Sequence, residues 1–206
     1  GEGVFCRPND SLSWLGAVRA MQDELNLSWH VGSLSSLSLQ GLSHQVLMGK
    51  TVDLVSYSKP SIPAWVKNND WGVEFKFRRS SMFSEPPELL EKEFHLKIKI
   101  ASREMAILEL IQSSDLGDSF EPIENQMMSL RTMQSSKLQS LLESCSSIKT
   151  KRIFLYLSRE MTMPYYVKLN LEAIDLGSGK RVVVKSGQLD TEFKITVPRS
   201  NEENPF

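Results

Sequence analysis

Phe94-His95-Leu96-Lys97-Ile98-Lys99-Ile100-Ala101-Ser102-Arg103-Glu104-Met105-Ala106-Ile107-Leu108-Glu109-Leu110-Ile111-Gln112 changes period in mid-course, and that change decides the fold. Up to Ile100 the apolar residues alternate with His95, Lys97 and Lys99, the two-residue period of a half-exposed strand. From Ser102 the period is helical. Ser102 is placed to cap a helix over 103–112, and the apolar residues there are dense enough to seat that helix in the core. Upstream, Val73, Phe75 and Phe77 alternate with Glu74, Lys76 and Arg78 in the same way. Thr51 to Tyr57 is a β-rich run closed by Lys59-Pro60, and Ser84-Glu85-Pro86-Pro87 marks a turn between strands.

Helical patterning surrounds this sheet. Trp14, Leu15, Val18, Met21 and Leu25 follow the spacing of one buried face over 12–25, with Asn9, Asp10 and Ser11 as cap candidates. Short helices are expected at 33–42 and at Pro63-Ala64-Trp65. Longer ones are expected at 120–130, 135–146 and 150–161, the last ended by Pro164. The tail returns to extended structure at 181–185 and 193–197, and 201–206 should fray. The fold class is α+β, a single mixed domain with a β-sheet packed against several helices.

Composition limits the function. A chain of 206 residues, 40% hydrophobic and 24% charged, can bury its own core without metal or disulfide staples. The 24 basic and 25 acidic side chains give a formal charge of −1, which excludes a uniformly basic nucleic-acid coat but not a local basic patch. No apolar run is long enough to span a membrane. Cys6 and Cys145, the only 2 cysteines, are far apart in sequence and make neither a disulfide framework nor a zinc cage, so a reducing cytoplasm is the expected compartment.

Few residues are spaced for catalysis. His30, His44 and His95 lack partners at metal-ligand spacing, so no metal or cofactor is expected. No serine sits in a G-x-S-x-G elbow. Gly177 and Gly179 lack the following helix of a phosphate loop and read as a turn. Asp53 followed by Glu74-Phe75-Lys76 matches the D…E-x-K pattern with which PD-(D/E)xK nucleases hold a divalent cation and polarise a phosphate. The same residues also suit a solvated strand face. Basic residues cluster at Arg78-Arg79, at Lys149 with Lys151-Arg152, and at Lys180-Arg181 with Lys185. These are the candidate phosphate contacts.

Longer stretches carry a resemblance. Lys149-Thr150-Lys151-Arg152-Ile153-Phe154-Leu155-Tyr156-Leu157, Leu169-Asn170-Leu171, Ile174 through Arg181, and Gly187-Gln188-Leu189-Asp190 through Pro198 resemble the C-terminal signature of the AbiEi antitoxins. Gly3-Val4-Phe5-Cys6-Arg7-Pro8, His30-Val31-Gly32 and Ile62-Pro63-Ala64-Trp65 also match. Ser102 to Leu110 resembles the family's S-x-E-R-A-I-L-E-L helix, with Met105 where the family has arginine.

The resemblance implies a non-catalytic antitoxin and transcriptional regulator of a type IV toxin–antitoxin system, active in abortive infection of phage-attacked cells. Its functional antagonist would be an AbiEii-type nucleotidyltransferase toxin, opposed without a stable complex. In the family an N-terminal winged helix binds promoter DNA and represses the operon. Gly3–Pro8 corresponds to the end of the wing, so the native polypeptide is expected to begin before Gly1. On this reading residues 1–10 are a wing remnant, most of the winged helix is missing, and 11–200 form the C-terminal antitoxin domain. Arg78, Arg79, Lys149, Lys151, Arg152, Lys180, Arg181 and Lys185 would then contact DNA phosphate in the intact protein, with Lys149, Lys151, Arg152, Lys180 and Arg181 as one positive surface.

Overall fold

A computed structural model of the chain describes residues 13–43 and 51–199. The expected extended segment at 4–7, the wing remnant at 1–10, Cys6, His44 and the tail at 201–206 lie outside the described residues. The fold is α+β, and the chain divides into two compact units, residues 1–106 and 107–206.

The first unit is built on a mixed sheet. In chain order it comprises α1 (Trp14–Arg19), β1 (His30–Val31), α2 (Ser33–Leu39), β2 (Thr51–Ser56), α3 (Ala64–Asn68), β3 (Glu74–Arg79), β4 (Leu90–Glu93) and β5 (Lys97–Ile100). The strand order is β3-β2-β1-β5-β4. β1 runs antiparallel to β2, with Val31 opposite Leu54, and parallel to β5, with Val31 opposite Ile100. Val31 thus lies at the middle of the sheet. One sheet face carries Val52, Leu54, Phe75, Phe77, Ile98 and Ile100 against Val18, Met21 and Trp29, as the alternation predicts. Trp14 and Trp65 pack against this cluster and Trp71 is buried, so the tryptophans build the core.

Helix α1 is capped by Ser13, whose Oγ accepts from the Gly16 N–H, and it runs on into a π-helical turn at Ala20–Glu24. The turn closes with the Leu25 N–H donating to the Ala20 carbonyl, a widened loop that turns Gln22 inward. Gln22 Nε2 donates to the Trp29 and Lys99 carbonyls, each at 2.9 Å, and Gln22 Oε1 accepts from the Lys99 N–H at 2.8 Å. The side-chain amide therefore acts as a substitute peptide, extending the pairing of β1 and β5 beyond what a two-residue strand can supply.

The opposite face of β2 is covered by α2. Ser35 Oγ accepts from the Asp53 N–H and donates to Asp53 Oδ2, and Ser36 Oγ donates to the Ala101 carbonyl at 2.6 Å. Strand β4, which the sequence does not predict, lies at an edge with all its residues exposed. It therefore lacks the alternation that betrays a half-buried strand. The turn before β5 takes up 94–96, shortening the strand expected at 94–100.

Helix α4 (Arg103–Ser113) crosses the boundary between the units. The second unit continues with α5 (Glu121–Met128), α6 (Ser135–Ser144), α7 (Ile148–Glu160), 3-10 turns at Tyr166–Lys168 and Leu171–Ala173, and the hairpin of β6 (Gln188–Asp190) and β7 (Ile195–Val197). The stretch 181–185, expected to be a strand, contributes only a bridge from Arg181 to Ile195. The hairpin closes tightly. A Cβ on Gly187 would lie 2.1 Å from the Val197 carbonyl oxygen, so only glycine fits there.

Arg159 ties α7 to this hairpin. Its guanidinium pairs with Asp190 at 2.5 Å, with Glu160 at 2.9 Å and with Glu192, and it lies over the rings of Tyr156 and Phe193. Burial alone would lower its pKa, but these carboxylates raise it further than burial depresses it. Among the described residues, no helix is long and apolar enough to cross a membrane.

Candidate nucleic-acid interface

Helix α7 begins at Ser147, whose Oγ accepts from the Thr150 N–H. Its first turns are enclosed on all sides, with every residue from Thr150 to Leu155 buried. Lys151 and Arg152 are each 1% exposed. The expectation that both offer charge to a phosphate is corrected here. Hydropathy assigns lysine and arginine to solvent, whereas both side chains here are buried, Arg152 among backbone carbonyls of its own unit. Lys151 and Arg152 fall off the apolar stripe of Ile153, Phe154, Leu157 and Met161, on faces that the amphipathic pattern leaves to water, whereas Thr150 lies on the stripe. Nearby, burial pushes the Cys145 thiol upward despite the opposing charge of Lys151.

Arg152 instead builds the adjoining loop. Its Nε donates to the Leu176 carbonyl at 2.7 Å, Nη2 to Gly177 at 2.9 Å, and Nη1 to Gly179 at 2.6 Å and to Lys194 at 3.1 Å. A planar guanidinium with donors on a fixed fork can satisfy several inward-turned carbonyls at once; lysine cannot. Burial lowers the Arg152 pKa, the nearby positive charge of Arg181 lowers it further, and Asp175 opposes both. Gly177 sits at φ +64° with its Cα hydrogen facing Ile148, so the loop rests on the first residue of α7, beside Lys149. The turn expected at Gly177 and Gly179 is present; its organiser is a residue whose charge alone would assign it to the surface.

With its carbonyls turned inward, the loop directs cations outward. Lys180, Arg181 and Lys185 are exposed, and Lys149 is half-buried at the helix start. The Arg181 backbone is held at both polar groups, its N–H donating to the Lys194 carbonyl at 2.9 Å and its carbonyl accepting from the Thr196 N–H at 3.1 Å. The expected single surface of Lys149, Lys151, Arg152, Lys180 and Arg181 thus loses its two buried members.

Arg78 and Arg79 belong to β3 in the first unit. Arg78 pairs with Asp53 at 3.3 Å, and Arg79 donates to the Pro60 carbonyl at 3.0 Å. The parallel register of β2 and β3 sets Thr51 beside Glu74 and Asp53 beside Lys76, so Asp53, Glu74 and Lys76 do share one face as the nuclease pattern requires. The Asp53 carboxylate is nevertheless engaged by Ser35 and Arg78. Among the described residues, no three His, Cys, Asp or Glu side chains gather as a metal-binding set. His30 is buried and stacks on Tyr57, and His95 is exposed.

Two family comparisons complete the site. Residues 49–198 match the family described as transcriptional regulator, AbiEi antitoxin, type IV TA system. Residues 1–48 match the N-terminal domain of the AbiEi antitoxin transcriptional regulators. This second match corrects the expectation that the chain lacks most of that domain: the N-terminal domain is present, and it contributes α1, β1 and α2 to the first unit. No curated protein and no solved structure matches the chain. The chain belongs to the AbiEi antitoxin family of type IV toxin–antitoxin transcriptional regulators.

Proposed function

We propose that this chain is an antitoxin that counteracts a nucleotidyltransferase-like toxin without holding it in a stable complex, and that it also represses its own operon by binding promoter DNA. Residues 11–200 carry the antitoxin role in this reading. Lys149, Lys180, Arg181 and Lys185 supply phosphate contacts that are independent of base sequence. The observation behind this assignment is the loop at 176–181, whose carbonyls are fixed from within by Arg152 while its cations face solvent. Contacts of this kind fix affinity and register, and the choice of operator is left to groups that reach base edges.

Alanine at Lys149, Lys180, Arg181 and Lys185 together should flatten the dependence of DNA binding on salt, the slope falling by about 0.9 for each phosphate that is no longer neutralised. Binding is measured by titrating a duplex of the chain's own promoter across a salt series. A slope equal to that of the parent would remove these residues from the interface. Co-expression with the neighbouring nucleotidyltransferase-like gene tests the antitoxin role separately, with restored growth as the expected result.

A further inference from the structure

The first unit holds a cavity of about 230 Å³ where the π-helical turn meets β1 and β5. Leu27, Tyr57, Pro87 and Leu89 give it an apolar wall. Tyr57 is held in place, stacked on His30 with ring centroids 5.7 Å apart and met edge-on by Phe83 at 5.1 Å. No carboxylate lines the cavity among the described residues, and Lys99 is its one lysine or arginine. Lys99 is half-buried, and Gln22 clamps its backbone at both polar groups. The register sets Lys99 opposite Glu91, but Lys97 binds that carboxylate. Among the described residues the Lys99 ammonium is thus left without a salt bridge. It stands beside apolar walls, where it attracts an anion more strongly than it would in open water. Asn26, which also lines the cavity, takes left-handed backbone at φ +47° just after the π-helical turn. Such turns recur at functional sites.

We propose that this cavity binds a small aromatic carboxylate, with its ring against Tyr57, Pro87 and Leu89 and its carboxylate at Lys99. An apolar cleft with a few convergent polar groups is the usual form of a small-molecule site. Drug-sized ligands occupy pockets of about 300 Å³ or more, so the smaller volume here suits one ring, or two fused rings, with an acid group. One cation matches one negative charge. Beyond Lys99 the adjoining open hollow brings Glu88 and Glu91, which oppose the second charge of a phosphate ester. The fixed Tyr57 ring and the clamped Lys99 backbone lower the ordering cost of binding. The site is independent of the phosphate surface proposed above, which belongs to the second unit.

Calorimetric titration of the full chain with phenylacetate, indole-3-acetate and their uncharged amides tests the proposal. Each acid should bind about tenfold or more tighter than its amide, the gain expected of a charge-assisted hydrogen bond. Lys99→Met keeps the side-chain stem and the backbone bonds to Gln22, and it should erase that preference. Leu89→Asn should weaken acid and amide alike. Equal binding of acid and amide by the parent chain overturns the proposal. So does the absence of saturation by both acids at about 10 mM, above the millimolar affinity expected of ligands this small. If Lys99→Met keeps the preference, the anion sits elsewhere and the assignment is wrong. Tighter binding of phenyl phosphate than of phenylacetate would replace the carboxylate with a phosphate and overturn the ligand class. The comparison of acid with amide uses the parent chain, so it decides the matter even where a variant fails to fold. None of these outcomes alters the salt slope of DNA binding, which reports on other residues.

Discussion

Arg152→Met is expected to lower the stability of the protein by about 3–5 kcal/mol, since each buried carbonyl left without a donor costs about 1–3 kcal/mol. Methionine fills a comparable volume but donates nothing. The carbonyls of Leu176, Gly177, Gly179 and Lys194 would all lose their donor together. Arg152→Lys should recover less than half of the loss, because an ammonium on a flexible stem cannot reach separate carbonyls as a rigid fork does. Chemical denaturation of the parent and the two variants supplies the measurement. A loss below about 1 kcal/mol for Arg152→Met would mean that water replaces the guanidinium without penalty and that the loop is held by other groups.

Gln22→Leu should cost about 3 kcal/mol, for a similar reason in the first unit. Leucine preserves the packing but leaves the Trp29 carbonyl and both backbone groups of Lys99 without their partner. Gln22→Glu should be no better. A carboxylate could accept from the Lys99 N–H but would face the Trp29 and Lys99 carbonyls with no hydrogen to donate. Hydrogen exchange locates the effect, since the Lys99 amide should lose its protection in both variants. If it keeps that protection, β1 and β5 are joined without the Gln22 amide.

Much of the fold was legible because it follows from periodicity. Phe75 and Phe77 face the core as their alternation requires, and the switch of period at Ser102 marks the start of a buried helix. Other features escaped for physical reasons. Strand β1 is too short to show a period, and the exposed Leu90–Glu93 edge has no buried face to produce one. The π-helical turn leaves no compositional mark, because its distinguishing feature is the partner of one backbone N–H. Arg152 was the largest misreading at the site. Side-chain charge pointed to solvent, whereas its surroundings hold backbone carbonyls in need of donors. A glycine-rich turn opposite a cation in a dense apolar helix was the available signal. Asp53 gave a similar one, as a carboxylate inside the apolar run of β2 implies a partner, here Ser35 and Arg78.

The central place of Val31 bears on how such a protein can change over evolutionary time. The family divides between residues 48 and 49, yet the strand supplied before that point lies between strands supplied after it. Without β1, the β2–β3 and β4–β5 pairs would each keep an unfilled inner edge where they now meet a common neighbour. Recombination at the family boundary would therefore exchange the central strand of a sheet rather than a free-standing module. A foreign N-terminal segment would have to bring a strand of the same register, a hydroxyl matching Ser35 and an amide matching Gln22. The two sequence segments are bound to diverge in step, because each must keep the packing that the other requires.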